Sequence, residues 1–192
     1  MKKFNCIRDC SDCCIYREFY PSVEYGKIGV LILPEEKAAI NRLARKLNIK
    51  LRIIPRLAIG MHFPENIIAY QMMGKNEDGN LCPFLDVESN ETSPHGGFKC
   101  RIYSNRPSAC RAYPVIDAVD KTAKLDAHCQ FCKKFSTTKA SSEGLQQEIE
   151  ALAKIRARVT AGNNNDISIW RYATATGRSN ELLPEGWVVE RY

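Results

Sequence analysis

Cys6, Cys10, Cys13 and Cys14 fall within nine residues, as Cys-x3-Cys-x2-Cys-Cys. Cys82, Cys100, Cys110, Cys129 and Cys132 follow, making nine cysteines in 192 residues. Soft thiolates at short spacing are the donors that zinc and iron–sulfur clusters take. Short loops hold such donors together at low entropic cost, and Cys-x2-Cys is a frequent turn that offers both sulfurs to one metal. The adjacent pair Cys13-Cys14 is less usual. In extended backbone, neighbouring side chains point to opposite faces, so one of the two is expected to serve a different metal or to stand beside the site. Cys129-x2-Cys132 is a second chelating pair. His128 beside it reads as a satisfied or solvent-exposed histidine in preference to a ligand. Cys82, Cys100 and Cys110 lack partners at chelating spacing, and each alone would read as a buried thiol. Their setting, at turns and element ends of a thiol-rich chain, makes all nine cysteines candidate metal ligands.

Zinc and iron–sulfur clusters use the same ligands but differ in what they do. Four thiolates close the zinc sphere and leave a structural site, whereas a cluster brings electron transfer or an open iron. Thiols in excess of four, the adjacent pair and the nearby Arg101, Arg106 and Arg111 favour an iron–sulfur cluster, of the 4Fe-4S type, with a redox or cluster-dependent role. A second site, with zinc among its candidates, is expected from the same excess. The arginines would favour thiolates and offset cluster charge; ordinary salt bridges to Asp86 or Asp117 are the equal alternative. The alternative function is a zinc-stapled binding module without catalysis. Asp9 and Asp12 lie between the cysteines and read as solvated acids. No Ser-His-Asp set or nucleotide loop is visible. The one close glycine pair, Gly96-Gly97, lies in a loop without a following helix. Catalytic residues are therefore not assigned.

Cys-x3-Cys-x2-Cys is also the spacing of radical-SAM enzymes. Asp12 stands where those enzymes have an aromatic residue, and the chain lacks the repeated βα pattern of their barrel. That reading is set aside.

The start, MKKFNCIRDC, has no apolar run after its lysines, so neither a signal peptide nor a membrane anchor is expected. A cytoplasmic chain follows, in which clustered cysteines read as metal ligands before disulfides. The net charge of +6 is compatible with a nucleic-acid partner without requiring one. Arg42, Arg45, Lys46, Lys50, Arg52 and Arg56 read as a solvated helix face followed by a strand edge. A protein or redox partner is expected but not identified.

Several elements must position these thiols. After an aromatic exit (Tyr16, Phe19, Tyr20), residues 27–33 form a candidate buried strand. Pro34-Glu35-Glu36 opens a helix over 35–48, with Ile40, Leu43, Ala44 and Leu47 at helical spacing and Asn48 as its stop. Residues 50–59 alternate loosely around Pro55, and 66–73 is the clearer strand. The turn-rich 74–80 predicts a hairpin into 81–85. A polar loop at 88–97 leads to a strand at 98–103. Pro107 starts a helical turn carrying Cys110, and Pro114 ends it. Ser141/Ser142 would cap a helix over 143–160, whose stripe of Leu145, Ile149, Leu152, Ile155 and Val159 reads as core packing. Residues 162–165 break it. The tail 166–192, with Trp170, Tyr172, Trp187 and Tyr192, is expected to pack back. The sum is an α+β chain, a single small domain of helices and short antiparallel strands with irregular metal-stapled segments. Residues 1–135 would form the cysteine-cluster part, and 136–192 the helix and tail that pack on it.

Three stretches, in order, carry a resemblance. They are the N-terminal run Cys6–Cys14, Asp78-Gly79-Asn80-Leu81-Cys82-Pro83-Phe84-Leu85, and Cys100-Arg101-Ile102-Tyr103-Ser104-Asn105-Arg106-Pro107-Ser108-Ala109-Cys110-Arg111-Ala112-Tyr113-Pro114. Over roughly residues 4–130 the chain resembles the CxxCxxCC cysteine-cluster family, which is described as chelating zinc or iron and which includes the flagellin lysine N-methylases. The resemblance implies eight ligand cysteines: Cys6, Cys10, Cys13, Cys14, Cys82, Cys100, Cys110 and Cys129. Cys132 lies beyond that pattern, as does the tail after residue 140. The resemblance also implies a further alternative, a protein-lysine N-methylase-like enzyme.

Overall fold

The computed structural model describes residues 1–15, 29–74, 81–160, 168–172 and 186–189. The aromatic exit, the 75–80 turn, the 162–165 break and Tyr192 lie outside them.

The first layer is an antiparallel sheet. Its strands are β1 (Gly29–Ile32), β2 (Ile53–Gly60), β3 (Asn66–Met73), β10 (Ser168–Tyr172) and β11 (Trp187–Val189), in the order β1-β3-β2-β10-β11. β3 begins and ends where the sequence places it. β2 contains Pro55 although it is paired on both sides. Proline cannot donate to a ladder, and the register of β2 against β3 shifts between Pro55 and Leu57, the bulge that accommodates it. Two described strands of the tail, β10 and β11, extend this sheet. β10 pairs with β2, and Trp170 Nε1 donates to the Gly60 carbonyl at 3.2 Å.

α2 (Pro34–Lys46) crosses this sheet and buries Ile40 and Ala44, two members of the predicted stripe. Pro34 sits in the first turn, where its missing N–H costs nothing. Glu36 accepts from the Leu33 N–H at 3.0 Å, and Asn48 takes the left-handed φ of 52° that ends the helix.

The expected hairpin from 66–73 into 81–85 does not form. β3 spends its edges on β1 and β2, and β4 (Leu85–Asp86) pairs instead with β6 (Gly96–Cys100), beside β5 (Thr92–Ser93). The predicted strand at 98–103 begins and ends earlier. Residues 103–105 are a 3-10 turn, and α3 (Ser108–Ala112) follows with Cys110 at its centre.

A third sheet was not foreseen. β7 (Val115–Val119), β8 (Thr122–Leu125) and β9 (Lys139–Ser141) form an antiparallel meander, with Asp120 at a φ of 51° in the first turn. Between β8 and β9 lies α4 (Gln130–Phe135). α5 (Gln146–Thr160) starts later than predicted. The Ser141 hydroxyl accepts from the Glu143 N–H, ahead of the helix, and Ser142 Oγ donates to the Asp120 carbonyl, so neither serine caps it.

Two main cores result. One gathers Val30, Ile32, Ile40, Met72, Phe84 and Ile102 under α2; the other gathers Val115, Leu125, Phe131 and Leu145 under α5. The α+β architecture with antiparallel sheets is as read from the sequence. No helix among the described residues is long and apolar enough to cross a membrane.

Candidate metal centre

The N-terminal cysteines are placed by local turns and by a clasp from β6. Asp9 turns the chain with a φ of 63°, and α1 (Asp12–Ile15) is a single helical turn carrying Cys13 and Cys14. The pair is therefore helical rather than extended, and its side chains diverge by about 100° rather than 180°. Ser11 Oγ accepts from the Phe98 N–H at 2.8 Å, and the Asp9 N–H donates to the His95 carbonyl at 3.2 Å. Gly96 and Gly97, both at positive φ, make this approach possible. A Cβ on Gly97 would lie 2.4 Å from Ser11 Oγ and 2.9 Å from the Cys10 carbonyl oxygen. The glycine pair thus has a backbone role that a search for nucleotide loops passes over. Gly97→Ala is expected to cost about 2 kcal/mol through its left-handed backbone alone, and to push the Cys10–Ser11 segment off β6. Thermal denaturation checks this, with a fall of several degrees expected.

The other cysteines are anchored separately. The Cys82 N–H donates to the Cys14 carbonyl at 2.9 Å, which ties the turn ahead of β4 directly to α1. Cys100 ends β6, opposite Leu85, and its N–H donates to the hydroxyl of buried Ser93 at 3.1 Å. Cys110 rides on α3. Ser108 at the start of that helix is fully buried and donates both its N–H (2.8 Å) and its hydroxyl (2.6 Å) to Glu36 Oε1. Cys129 precedes α4. Its N–H donates to the Asp126 carbonyl at 3.0 Å, and Gln130 Nε2 donates to Asp12, joining α4 to α1.

These anchors bring the thiols to two adjoining cavities. The wider, about 120 Å³, is lined by Cys6, Cys10, Cys13, Cys110 and Cys129, with Arg106, Arg111 and Tyr113 among its walls. The narrower, about 30 Å³, is lined by Cys13, Cys14, Cys82, Cys100 and Cys110, again with Arg106 and Tyr113. Cys132 lines neither. It is buried in the second core with Val115, Leu125 and Phe131. His128 donates its N–H to Asp126 at 2.8 Å, its ring stands 2.9 Å from the same carboxylate, and its side chain is largely exposed.

None of the nine cysteines forms a disulfide among the described residues. Burial first, then the neighbouring Cys10 and Cys129, pushes the Cys6 thiol up to about 11, although the residue keeps an exposed edge. Burial likewise pushes Cys100 and Cys129 up to about 11 and raises Cys10 and Cys132. Tyr113, also raised chiefly by burial, is further disfavoured as an anion by Cys129. Arg106 pulls Cys6 and Cys100 the other way, and burial outweighs it. The three arginines divide between the two expected roles. Arg101 faces Asp86 at 3.4 Å, and the Ser89 N–H with that guanidinium's help holds the Asp86 carboxyl down at about 2. Arg106 stacks on Tyr103 at 3.9 Å and lines both cavities, and Arg111 lines the wider one. Asp117 pairs instead with Arg156 at 2.9 Å.

Among the described residues, no three His, Cys, Asp or Glu side chains already stand at metal-holding geometry. The donor chemistry and the gathering of thiols fit a thiophilic metal, while the coordination geometry itself is not in place. A family model described as "CxxCxxCC: Putative zinc- or iron-chelating domain" matches residues 5–133. The chain belongs to that family. The match covers about two thirds of the 192 residues and supports metal binding as the general role of the domain. It ends within α4. No solved structure matches the chain.

Proposed function

We propose that this member of the CxxCxxCC family holds an iron–sulfur cluster, of the four-iron type, and uses it in a redox or cluster-dependent role. The observation that carries the reading is the wider cavity, whose walls include five cysteines together with Arg106 and Arg111. Four thiolates are what such a cluster takes as ligands, and it would supply one-electron transfer. Cys6, Cys10, Cys13, Cys110 and Cys129 are the residues that would supply those ligands. The two guanidinium groups would offset the charge of thiolates that burial otherwise keeps protonated. Tyr113 and Pro114 form part of the enclosing wall.

The narrower cavity favours a second reading, a zinc-stapled binding module. It is small, it includes buried Cys82, and four thiolates close a zinc site without leaving an open position. Methyl transfer has no such support. The Gly96-Gly97 pair is taken up by contact with Asp9, Cys10 and Ser11 rather than by a ligand loop.

Iron, acid-labile sulfide and zinc content, with the ultraviolet–visible spectrum of protein purified without oxygen, decide between the readings. Iron with sulfide and a broad band near about 400 nm that bleaches with dithionite is the expected result. Colourless protein with stoichiometric zinc would select the module. Protein that takes up neither metal would remove both.

A further inference from the structure

We infer that the eight cysteines lining the two cavities divide into two separate four-thiol metal centres: Cys14, Cys82, Cys100 and Cys110 in one, and Cys6, Cys10, Cys13 and Cys129 in the other. The inference rests on the reading that this chain binds metal, and it adds how many centres there are and which residues each owns.

Three observations lead to it. The narrower cavity alone carries Cys14, Cys82 and Cys100, and the wider alone carries Cys6, Cys10 and Cys129. Only Cys13 and Cys110 face both. The cores then separate these two. Cys82 belongs to the first core, and Cys14, Cys100 and Cys110 all pack against it; Cys129 packs against the second, as do Phe4 and Ile7 on either side of Cys6. Cys110 is thereby grouped with the narrower cavity, which leaves Cys13 to the wider. The backbone repeats the division. The Cys82 N–H is bonded to the Cys14 carbonyl, and Cys100 sits opposite Leu85, whose N–H donates to the Cys82 carbonyl. On the other side, Gln130 beside Cys129 is bonded to Asp12 beside Cys13.

Chemistry favours the same count. A tetrahedral zinc site and a four-iron cluster each take four thiolates, so eight donors are two full sets. Cys13 and Cys14 diverge on one helical turn and can serve as the partition between them. Arg106, which lines both cavities, would lie between two anionic centres and favour both.

The test is metal content per chain in the wild type, Cys100→Ser and Cys6→Ser, each purified without oxygen. Each single variant is expected to lose one centre's metal and keep the other's, with the double variant losing both. If either single variant loses all of its metal, or keeps all of it, while retaining the wild-type circular dichroism, the division is wrong. Should a variant fail to fold, wild-type protein titrated with an organomercurial, with metal release read by a chromogenic chelator, answers the question directly. Two steps of metal release are expected, led by the centre of exposed Cys6 and followed by that of buried Cys82. A single step would overturn the division. Wild-type protein with one ion or one cluster per chain would overturn this inference alone. Wild-type protein without metal would overturn the function as well.

Discussion

Cys110→Ser is expected to lose bound metal, whereas Cys132→Ser keeps it. Serine is a harder, far less acidic donor than cysteine and a poor substitute on a thiophilic metal. Structural zinc sites contribute roughly 10–16 kcal/mol in apparent terms, so one thiolate of four is worth about 3 kcal/mol, or about 100-fold in affinity. Metal that binds only the folded chain also stabilises it by mass action, so its loss lowers the melting temperature. Cys132 presents the opposite pattern. It is 4% exposed among Val115, Leu125 and Phe131. A hydroxyl placed there costs roughly 1–3 kcal/mol unless it finds an acceptor. Cys132→Ser should therefore melt earlier at unchanged metal content, while Cys110→Ser should lose both metal and stability. Elemental analysis after gel filtration, alongside thermal denaturation, reads the two effects separately. Equal metal loss in both variants would make Cys132 a ligand.

Glu36→Ala is expected to destabilise the protein by about 2–4 kcal/mol, a drop on the order of 10 °C for a chain of this size. The carboxylate is half-buried and accepts three bonds: from the Leu33 N–H at the start of α2, and from the N–H and hydroxyl of Ser108 at the start of α3. Removing it orphans two donors on a residue with no exposed surface, and such donors cannot turn to water. Because Ser108 precedes Cys110 by two residues, the substitution should also loosen the ligand helix and weaken metal retention. Glu36→Gln keeps one acceptor oxygen and should lie between wild type and alanine. Melting temperatures of the three proteins check the order. An alanine variant within about 1 °C of wild type would show that the link from α2 to α3 carries little weight.

What could be read in advance follows from how local each signal is. The α2 stripe, the opening Pro34 and the Asn48 stop all act within a few residues, and the helix appears where they place it. The same holds for β3 and for the Pro107–Pro114 helical turn. The hairpin expected into 81–85 failed because a turn signal states that the chain reverses, not which strand it then meets. β3 met β1 and β2. The β7–β8–β9 meander escaped notice because its strands are short and two-sided in composition, as in Val-Ile-Asp-Ala-Val. Ser141 and Ser142 looked like caps, and long-range pairing claimed them first. Glu36 illustrates the same limit at the site. Its acidic first-turn position is legible, while its bond to Ser108, 72 residues away, is not.

The sequence by itself determined the donor chemistry, the family, the amphipathic helix α2 and the short helical turn that carries Cys110. Residue type dictates which metals a side chain can take, and helical periodicity is complete within two or three turns. Only the tertiary structure decided which thiols share a cavity. Cys14 and Cys82 are joined by one backbone hydrogen bond, Cys10 and Ser11 are admitted by two glycines of a distant hairpin, and Cys132 is drawn into the core while Cys129, three residues before it, faces the wider cavity. Each of these depends on the packing of segments far apart in the chain, where spacing along the sequence sets no distance in space.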